Sequence, residues 1–156
     1  MTYRMLTARD QAAFDAARSG AVIFGRDDRV AIVARGKHRV RFLHALMTAA
    51  FEGRAELDVF DATLTDAQGR LIADARCLVG ADDITLFVAR RRAANLIERL
   101  MSHRVAERVS LDIDEDIALV ELIGPAAMAV LATTVAAPLT LAPGRATPLD
   151  IAGNPV

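Results

Sequence analysis

Residues 59–88 read VFDATLTDAQGRLIADARCLVGADDITLFV, and this stretch decides the fold. It contains three β-like runs, which are Val59–Leu64, Leu71–Val79 and Ile84–Val88. The first two runs are joined by the turn Thr65–Arg70, in which Gly69 can supply a positive φ. The last two are joined by the turn Gly80–Asp83. Strand-like runs separated by turns this short predict a β-hairpin.

Helix-like and strand-like segments flank this stretch on both sides. Those with helical spacing or helix-start signals are Thr7–Arg18, Val40–Phe51, Arg90–His103 and a short helix that starts at Gly124-Pro125. The short β-like runs are Val22–Phe24, Val30–Val33, Val109–Ile113 and Ile117–Ile123. From Leu71 onward the order is strand, strand, helix, strand, strand, helix. This mixed order predicts an α+β fold with a mainly antiparallel sheet and packed helices.

Composition and charge exclude several classes of protein. The chain has 156 residues, of which 53% are apolar and 25% charged, which excludes wholesale disorder. Its 19 basic and 20 acidic side chains leave a net charge of −1, so bulk charge does not favour nucleic-acid binding. No apolar run fits a signal peptide or a membrane span, and the single Cys77 excludes an intrachain disulfide. We therefore expect a soluble cytoplasmic protein with no nucleic-acid or membrane partner.

The segment from Ala136 onward differs from the rest of the chain. It carries four of the five prolines and shows no amphipathic period. We expect one domain over residues 1–135 and a Pro-rich C-terminal extension over residues 136–156, outside the core.

Few residues have a spacing that by itself indicates a metal site or a catalytic site. The histidines, His38, His44 and His103, share no metal-ligand spacing, which predicts no metal site. Cys77 lies inside the run Leu71–Val79, where a buried small hydrophobe is favoured over a nucleophile.

Three charged features remain. The acidic segment Asp112–Asp116 lies between two predicted strands, which favours a solvated hairpin turn over a cation site. Arg90-Arg91-Arg92 opens a helix, and it either holds an anionic ligand tail or reflects the general arginine richness of the chain. Asp74 is a lone carboxylate in an apolar strand. It either faces a pocket, where it would orient a cationic or amine-bearing ligand, or points to solvent on the alternate face.

Two stretches carry a family resemblance, RFLHAL at Arg41–Leu46 and LTDAQGRLIAD at Leu64–Asp74. With Gly124-Pro125-Ala126-Ala127 after a strand, they resemble the N-terminal part of the folate-binding aminomethyltransferase superfamily. That superfamily includes the glycine-cleavage T-protein and the YgfZ-type iron–sulfur maintenance proteins. Order and spacing agree over roughly residues 15–135, and the run Leu64–Arg70 is closer to the YgfZ-type proteins.

The resemblance implies a fold like the N-terminal lobes of these proteins, with tetrahydrofolate as the cofactor. It implies Asp74, Asp66, Gly69 and Arg70 as cofactor-binding residues. Asp74 and the turn would line what remains of the folate pocket. No residue is predicted to be catalytic.

The chain also departs from the family pattern. The Asp-Asp pair of T-proteins reads Ala73-Asp74, and their Thr-Asn-Asp reads Thr48-Ala49-Ala50. The Lys-Gly-Cys-x-x-Gly-Gln-Glu signature of YgfZ-type proteins does not occur in the sequence. The resemblance therefore covers the N-terminal half only, and the second half that completes the three-lobed ring around folate would come from a partner chain or from a second copy.

Three functions follow from the resemblance. The first is a non-catalytic, folate-binding-like protein related to YgfZ-type proteins, in iron–sulfur cluster maintenance or one-carbon metabolism. The second is half of a tetrahydrofolate-dependent aminomethyltransferase that requires a partner chain. The third is a degenerate interaction module that no longer binds folate.

Overall fold

Nine strands and four helices occur in residues 8–135, 140–151 and 154–155, which the computed structural model describes. The helices are α1 (Ala8–Ser19), α2 (Arg39–Leu46), α3 (Arg90–Met101) and α4 (Ala127–Thr134). The strands are β1 (Val22–Gly25), β2 (Arg29–Arg35), β3 (Val59–Thr65), β4 (Leu71–Val79), β5 (Asp83–Ala89), β6 (Ser110–Asp114), β7 (Val120–Ile123), β8 (Asp150–Ile151) and β9 (Asn154–Pro155). Thr7, the first residue of the first predicted helix, lies outside the described residues.

Five strands form one antiparallel sheet in the order β3-β4-β5-β2-β6. The predicted hairpin of β4 and β5 is present, with Ala75 opposite Val88. On the other side of β5, Thr85 pairs with Val33 of β2. The α+β class with a mainly antiparallel sheet is confirmed.

The core lies between one face of this sheet and the helices α2 and α3. On β4, three side chains are buried in it, those of Ala73, Ala75 and Cys77. Asp74 and Arg76 lie on the opposite face, because successive strand residues point to opposite sides. α3 adds three buried side chains at helical spacing, which are Ala93, Leu96 and Leu100. β4 therefore separates apolar side chains on one face from charged side chains on the other.

The described residues form two compact units. The larger unit spans residues 27–119 and 141–147, and it holds the five-stranded sheet with α2 and α3. The smaller unit holds α1, α4, the antiparallel pair β1–β7 and the short pair β8–β9. The predicted domain boundary between residues 135 and 136 stays a prediction.

The second helix is shorter than its apolar pattern predicts. α2 ends at Leu46 instead of continuing to Phe51. Thr48 then donates its backbone N–H to the carbonyl of Thr63 on β3 at 2.9 Å, which turns the chain away from the helix axis. Phe51 is nevertheless buried in the core. An apolar residue at helical spacing was thus placed in the core by the loop after the helix.

The expectation of a hairpin turn at Asp112–Asp116 is wrong. β6 ends at Asp114 and pairs with β2, whereas β7 begins at Val120 and pairs with β1, so the two strands belong to different sheets. The strand predicted at Ile117–Ile123 correspondingly starts three residues later. Neighbouring strand-like runs predict a hairpin locally, but here each run pairs with a strand from the beginning of the chain.

Part of the Pro-rich segment bonds to the edge of the large sheet. The carbonyl of Gly144 accepts the N–H of Val59 at 2.8 Å, and the N–H of Ala146 bonds to the carbonyl of Leu57 at 2.7 Å. Between them, Arg145 forms an ion pair with Asp58 at 2.7 Å. Backbone bonds of this kind need no amphipathic period, so the sequence pattern carries no signal for them.

The reactivity of the Cys77 thiol tests the packing of β4 against the core. Burial raises the pKa of its thiol to about 12, and the charge of Asp61 adds to the effect. We expect no reaction with a thiol reagent at pH 8 while the protein is folded, and full reaction in guanidinium chloride, because only the thiolate is nucleophilic. An Ala67→Cys variant in a Cys77→Ala background is the control, since residue 67 lies in an exposed turn. Prompt reaction of native Cys77 would contradict its place in the core.

Candidate functional site

Three adjacent strands of the large sheet meet at one end around Asp74. Arg29 is the first residue of β2 and pairs with Ala89, the last residue of β5. Ala75, which follows Asp74 on β4, pairs with Val88 of β5. Asp74, Ala89 and Arg29 therefore lie side by side on the face opposite the core.

An ion pair joins Arg29 and Asp74 across these strands. Nη2 of Arg29 lies 2.9 Å from Oδ2 of Asp74, and Nη1 donates to the carbonyl of Phe87 at 3.1 Å. The Arg29 side chain is 23% exposed and that of Asp74 is 54% exposed. The guanidinium is thus held at two points, while the carboxylate remains open to solvent. Of the two alternatives for Asp74, the structure places it on the exposed face.

Two threonine hydroxyls border Asp74 on the other side. Thr63 of β3 pairs with Asp74 in register, and its N–H donates to Oγ1 of Thr48 at 3.0 Å. The hydroxyls of Thr48 and Thr63 are also 3.0 Å apart. Thr48 therefore joins the loop after α2 to β3.

A cavity of about 510 Å³ lies at the same end of the sheet. Its lining residues are Asp27, Asp28, Ala89, Arg90 and Arg91. Ala89 also pairs with Arg29 in the sheet, so the cavity and the ion pair share this end of the sheet. The volume lies in the range of small-molecule sites.

Arg90 is committed to holding the loop before β2 and the segment after β6. Its Nη1 donates to both carboxylate oxygens of Glu115 at 2.9 and 2.7 Å, and its Nε donates to the carbonyl of Asp27 at 3.1 Å. Its backbone N–H also bonds to the carbonyl of Asp28 at 2.8 Å. The first arginine of the Arg90–Arg92 cluster is therefore structural, although it lines the cavity together with Arg91.

The predicted turn residues have a conformational role in the structure. Oδ1 of Asp66 accepts the N–H groups of Gln68 and Arg70, each at 2.9 Å. Gly69 has the predicted positive φ, at +78°, which a residue with a side chain rarely adopts. Within the described residues, no contact joins Asp66, Gly69 or Arg70 to the ion pair of Arg29. Cofactor binding by the turn stays a prediction.

Ala73 lies on the opposite face of β4 from Asp74. Its side chain is 4% exposed and lies in the core. A carboxylate at residue 73 would point away from Asp74, since neighbours on a strand alternate in direction. An aspartate at residue 73 would therefore add no carboxylate to the exposed face around Asp74.

Arg29 is the residue of the candidate site that sequence reasoning missed. A charged residue directly before the apolar run Val30–Val33 is the one signal present in the sequence. Its partner Asp74 lies 45 residues further along the chain. Their pairing depends on the strand order and not on any local pattern.

The described residues hold no group of three or more His, Cys, Asp or Glu side chains arranged to bind a metal ion. Their helices are all too short or too polar to cross a membrane.

This sheet, with its two helices on one face, is a T-protein-like fold. The structure is similar to the glycine cleavage system aminomethyltransferase T from Bartonella henselae, with a TM-score of 0.73 and 19% sequence identity. In all, 33 chains of solved structures match. No protein-family model matches the sequence, and no curated protein matches it.

The similarity covers unequal parts of the two proteins. It extends over 79% of this chain but only 34% of the Bartonella chain. This chain therefore spans about a third of that aminomethyltransferase, and the likeness establishes the fold.

Ala73→Asp tests the assignment of the two faces of β4. We expect this variant to lose about 3 kcal/mol or more in the free energy of unfolding, because it buries a carboxylate without a partner. Ala67→Asp makes the same change in the exposed turn and is expected to stay within about 0.5 kcal/mol of the parent. Urea unfolding measures both. Equal stability of the two variants would place residue 73 outside the core.

Proposed function

We propose that this chain is a folate-binding-like protein that holds tetrahydrofolate at Asp74 and does not transfer an aminomethyl group by itself. The observation that supports the proposal is the exposed Asp74 carboxylate, held by Arg29 at the end of the sheet that also has a cavity of about 510 Å³, on a T-protein-like fold. Tetrahydrofolate carries one-carbon units when it is bound.

The residues around Asp74 fit such a ligand. Asp74 offers a carboxylate acceptor and Arg29 offers N–H donors, as a polar heterocycle requires. Arg91 lines the cavity and offers a cation for a carboxylate tail. Ala89 gives the cavity a small apolar surface between them.

The charges on this face support a non-catalytic role. Asp74 is paired with Arg29, and Asp61 is paired with Arg76 through both carboxylate oxygens at 2.9 and 3.1 Å. The hydrogen bond from Arg76 holds the pKa of Asp61 below its usual range. Each of these carboxylates is already paired with an arginine, which disfavours a role as general base at a ligand amine.

The cellular role that we propose is that of YgfZ-type proteins, in iron–sulfur cluster maintenance or one-carbon metabolism in the cytoplasm. The amino-acid sequence of Leu64–Arg70 supports the relation to YgfZ-type proteins, and the single Cys77 is consistent with a reducing compartment. A partner chain or a second copy supplies further lobes. The exposed apolar side chains of the β1–β7 pair, such as Ile23 and Val120, support such a partner.

An aminomethyltransferase completed by a partner chain is the second candidate. It is favoured by the Bartonella similarity, which extends over 34% of an enzyme chain. In that case the partner would have to supply the general base, because both carboxylates described above are held by arginines.

Calorimetric titration with tetrahydrofolate tests the proposal. The parent protein is expected to bind saturably, and Asp74→Asn to bind about tenfold more weakly, since it loses a charge-assisted hydrogen bond. Asp61→Asn is the matched control, because it removes an arginine-paired carboxylate from the same face, and its affinity is expected to change less than about twofold.

Two results would contradict folate binding at Asp74. The first is no heat of binding at tetrahydrofolate concentrations up to about 1 mM, which favours the interaction module without folate. The second is equal weakening by Asp74→Asn and Asp61→Asn, which would indicate a response to the charge of the whole face.

A further inference from the structure

We propose that Arg29 determines the ligand specificity of the Asp74 site. With Arg29 in place, the site takes a neutral, planar group that presents a hydrogen-bond acceptor beside an N–H donor, and it rejects a protonated amine. This inference rests on the proposed function, because it specifies which part of the ligand Asp74 contacts. It replaces the amine-bearing ligand that the sequence alone suggests for a lone carboxylate.

The charge balance of the ion pair disfavours a cationic ligand. Arg29 lies 2.9 Å from Asp74, so the cation that a free carboxylate would recruit is already supplied by the chain. A ligand cation at Asp74 would meet the guanidinium at close range, and that repulsion opposes its attraction to the carboxylate. The pair as a whole is neutral and favours a neutral ligand.

The hydrogen-bonding groups of Arg29 and Asp74 that have no partner in the part of the chain that the structure describes determine which ligand group fits. An arginine side chain has five N–H groups, of which Arg29 directs one to Asp74 and one to the carbonyl of Phe87. Oδ2 of Asp74 holds Arg29, and no group among the described residues donates to Oδ1. The pair therefore presents N–H donors next to a carboxylate acceptor. A cyclic amide edge, with its C=O beside its N–H, matches this arrangement.

The guanidinium of Arg29 is held in a fixed position. Its guanidinium is bonded to two neighbouring strands, to Phe87 on β5 and to Asp74 on β4. Its backbone begins β2 in register with Ala89, which lines the cavity. A donor fixed in this way loses little conformational freedom when a ligand binds, and its direction selects among ligands.

A lysine at residue 29 separates the effect of the positive charge of Arg29 from the effect of its planar guanidinium. Arg29→Lys keeps the positive charge beside Asp74 but has no planar fork to reach Phe87 and Asp74 together. It should still exclude a cation, and it should bind the neutral group more weakly. Arg29→Gln removes the charge as well and leaves Asp74 uncompensated.

The experiment uses two planar probes, neutral 6-hydroxymethylpterin, which carries a cyclic amide, and the cation benzamidine. Fluorescence and calorimetric titrations give both affinities for the full chain and its variants. Arg29→Gln is expected to bind the pterin at least about tenfold more weakly and benzamidine at least about tenfold more tightly than the parent. Arg29→Lys is expected to lose pterin affinity without an increase for benzamidine.

Two controls assign these changes to the pair. Arg41 lies outside β2 and β4 and forms an ion pair with Glu107 at 3.5 Å. Arg41→Gln removes this arginine, and the affinities for both probes should stay unchanged. Adding Asp74→Asn to Arg29→Gln should abolish the increase for benzamidine. Melting curves confirm folding, and Arg29→Lys decides the pterin arm if Arg29→Gln does not fold.

The results separate this inference from the proposed function. Full pterin affinity in Arg29→Lys and Arg29→Gln, or equal benzamidine affinity in Arg29→Gln and the parent, overturns the role of Arg29. If tetrahydrofolate still binds at Asp74 in that case, the proposed function stands without it. If tetrahydrofolate does not bind the parent, the proposed function fails, and the benzamidine comparison still decides whether Arg29 excludes cations from Asp74.

Discussion

The alternation of side chains along β4 is the constraint on which the rest of the structure depends. Ala73, Ala75 and Cys77 pack against α2 and α3, and this burial fixes which way every other residue of the strand points. Asp74 and Arg76 must then lie on the opposite face. A shift of one residue would exchange the two sets and bury both charges, so the register is strongly specified.

The antiparallel strand order converts this division into a site. It brings the start of β2, the middle of β4 and the end of β5 to one end of the sheet, where Arg29 meets Asp74 and the cavity adjoins Ala89. The same end is held by Arg90, which bonds to the loop before β2 and to Glu115. The interactions that shape the site are thus the ones that close this end of the sheet.

Local patterns predicted what is decided locally, and the rest depended on partners distant in sequence. The hairpin of β4 and β5, the positive φ of Gly69 and the buried thiol of Cys77 follow from turns and apolar runs within about twenty residues. The pairing of Arg29 with Asp74 was not predictable in this way. The acidic segment Asp112–Asp116 was misread as a hairpin turn for the same reason, because its strands pair with β1 and β2.

Amide chemical shifts test whether the ligand lies on the Arg29–Asp74 pair. In ¹H–¹⁵N spectra of the labelled chain titrated with tetrahydrofolate, we expect the largest changes at Arg29, Asp74, Ala89 and Arg91, together with a shift of the Arg29 Nε–H signal. Changes confined to other residues, such as the β1–β7 pair, with those four signals unmoved at saturation, would contradict it.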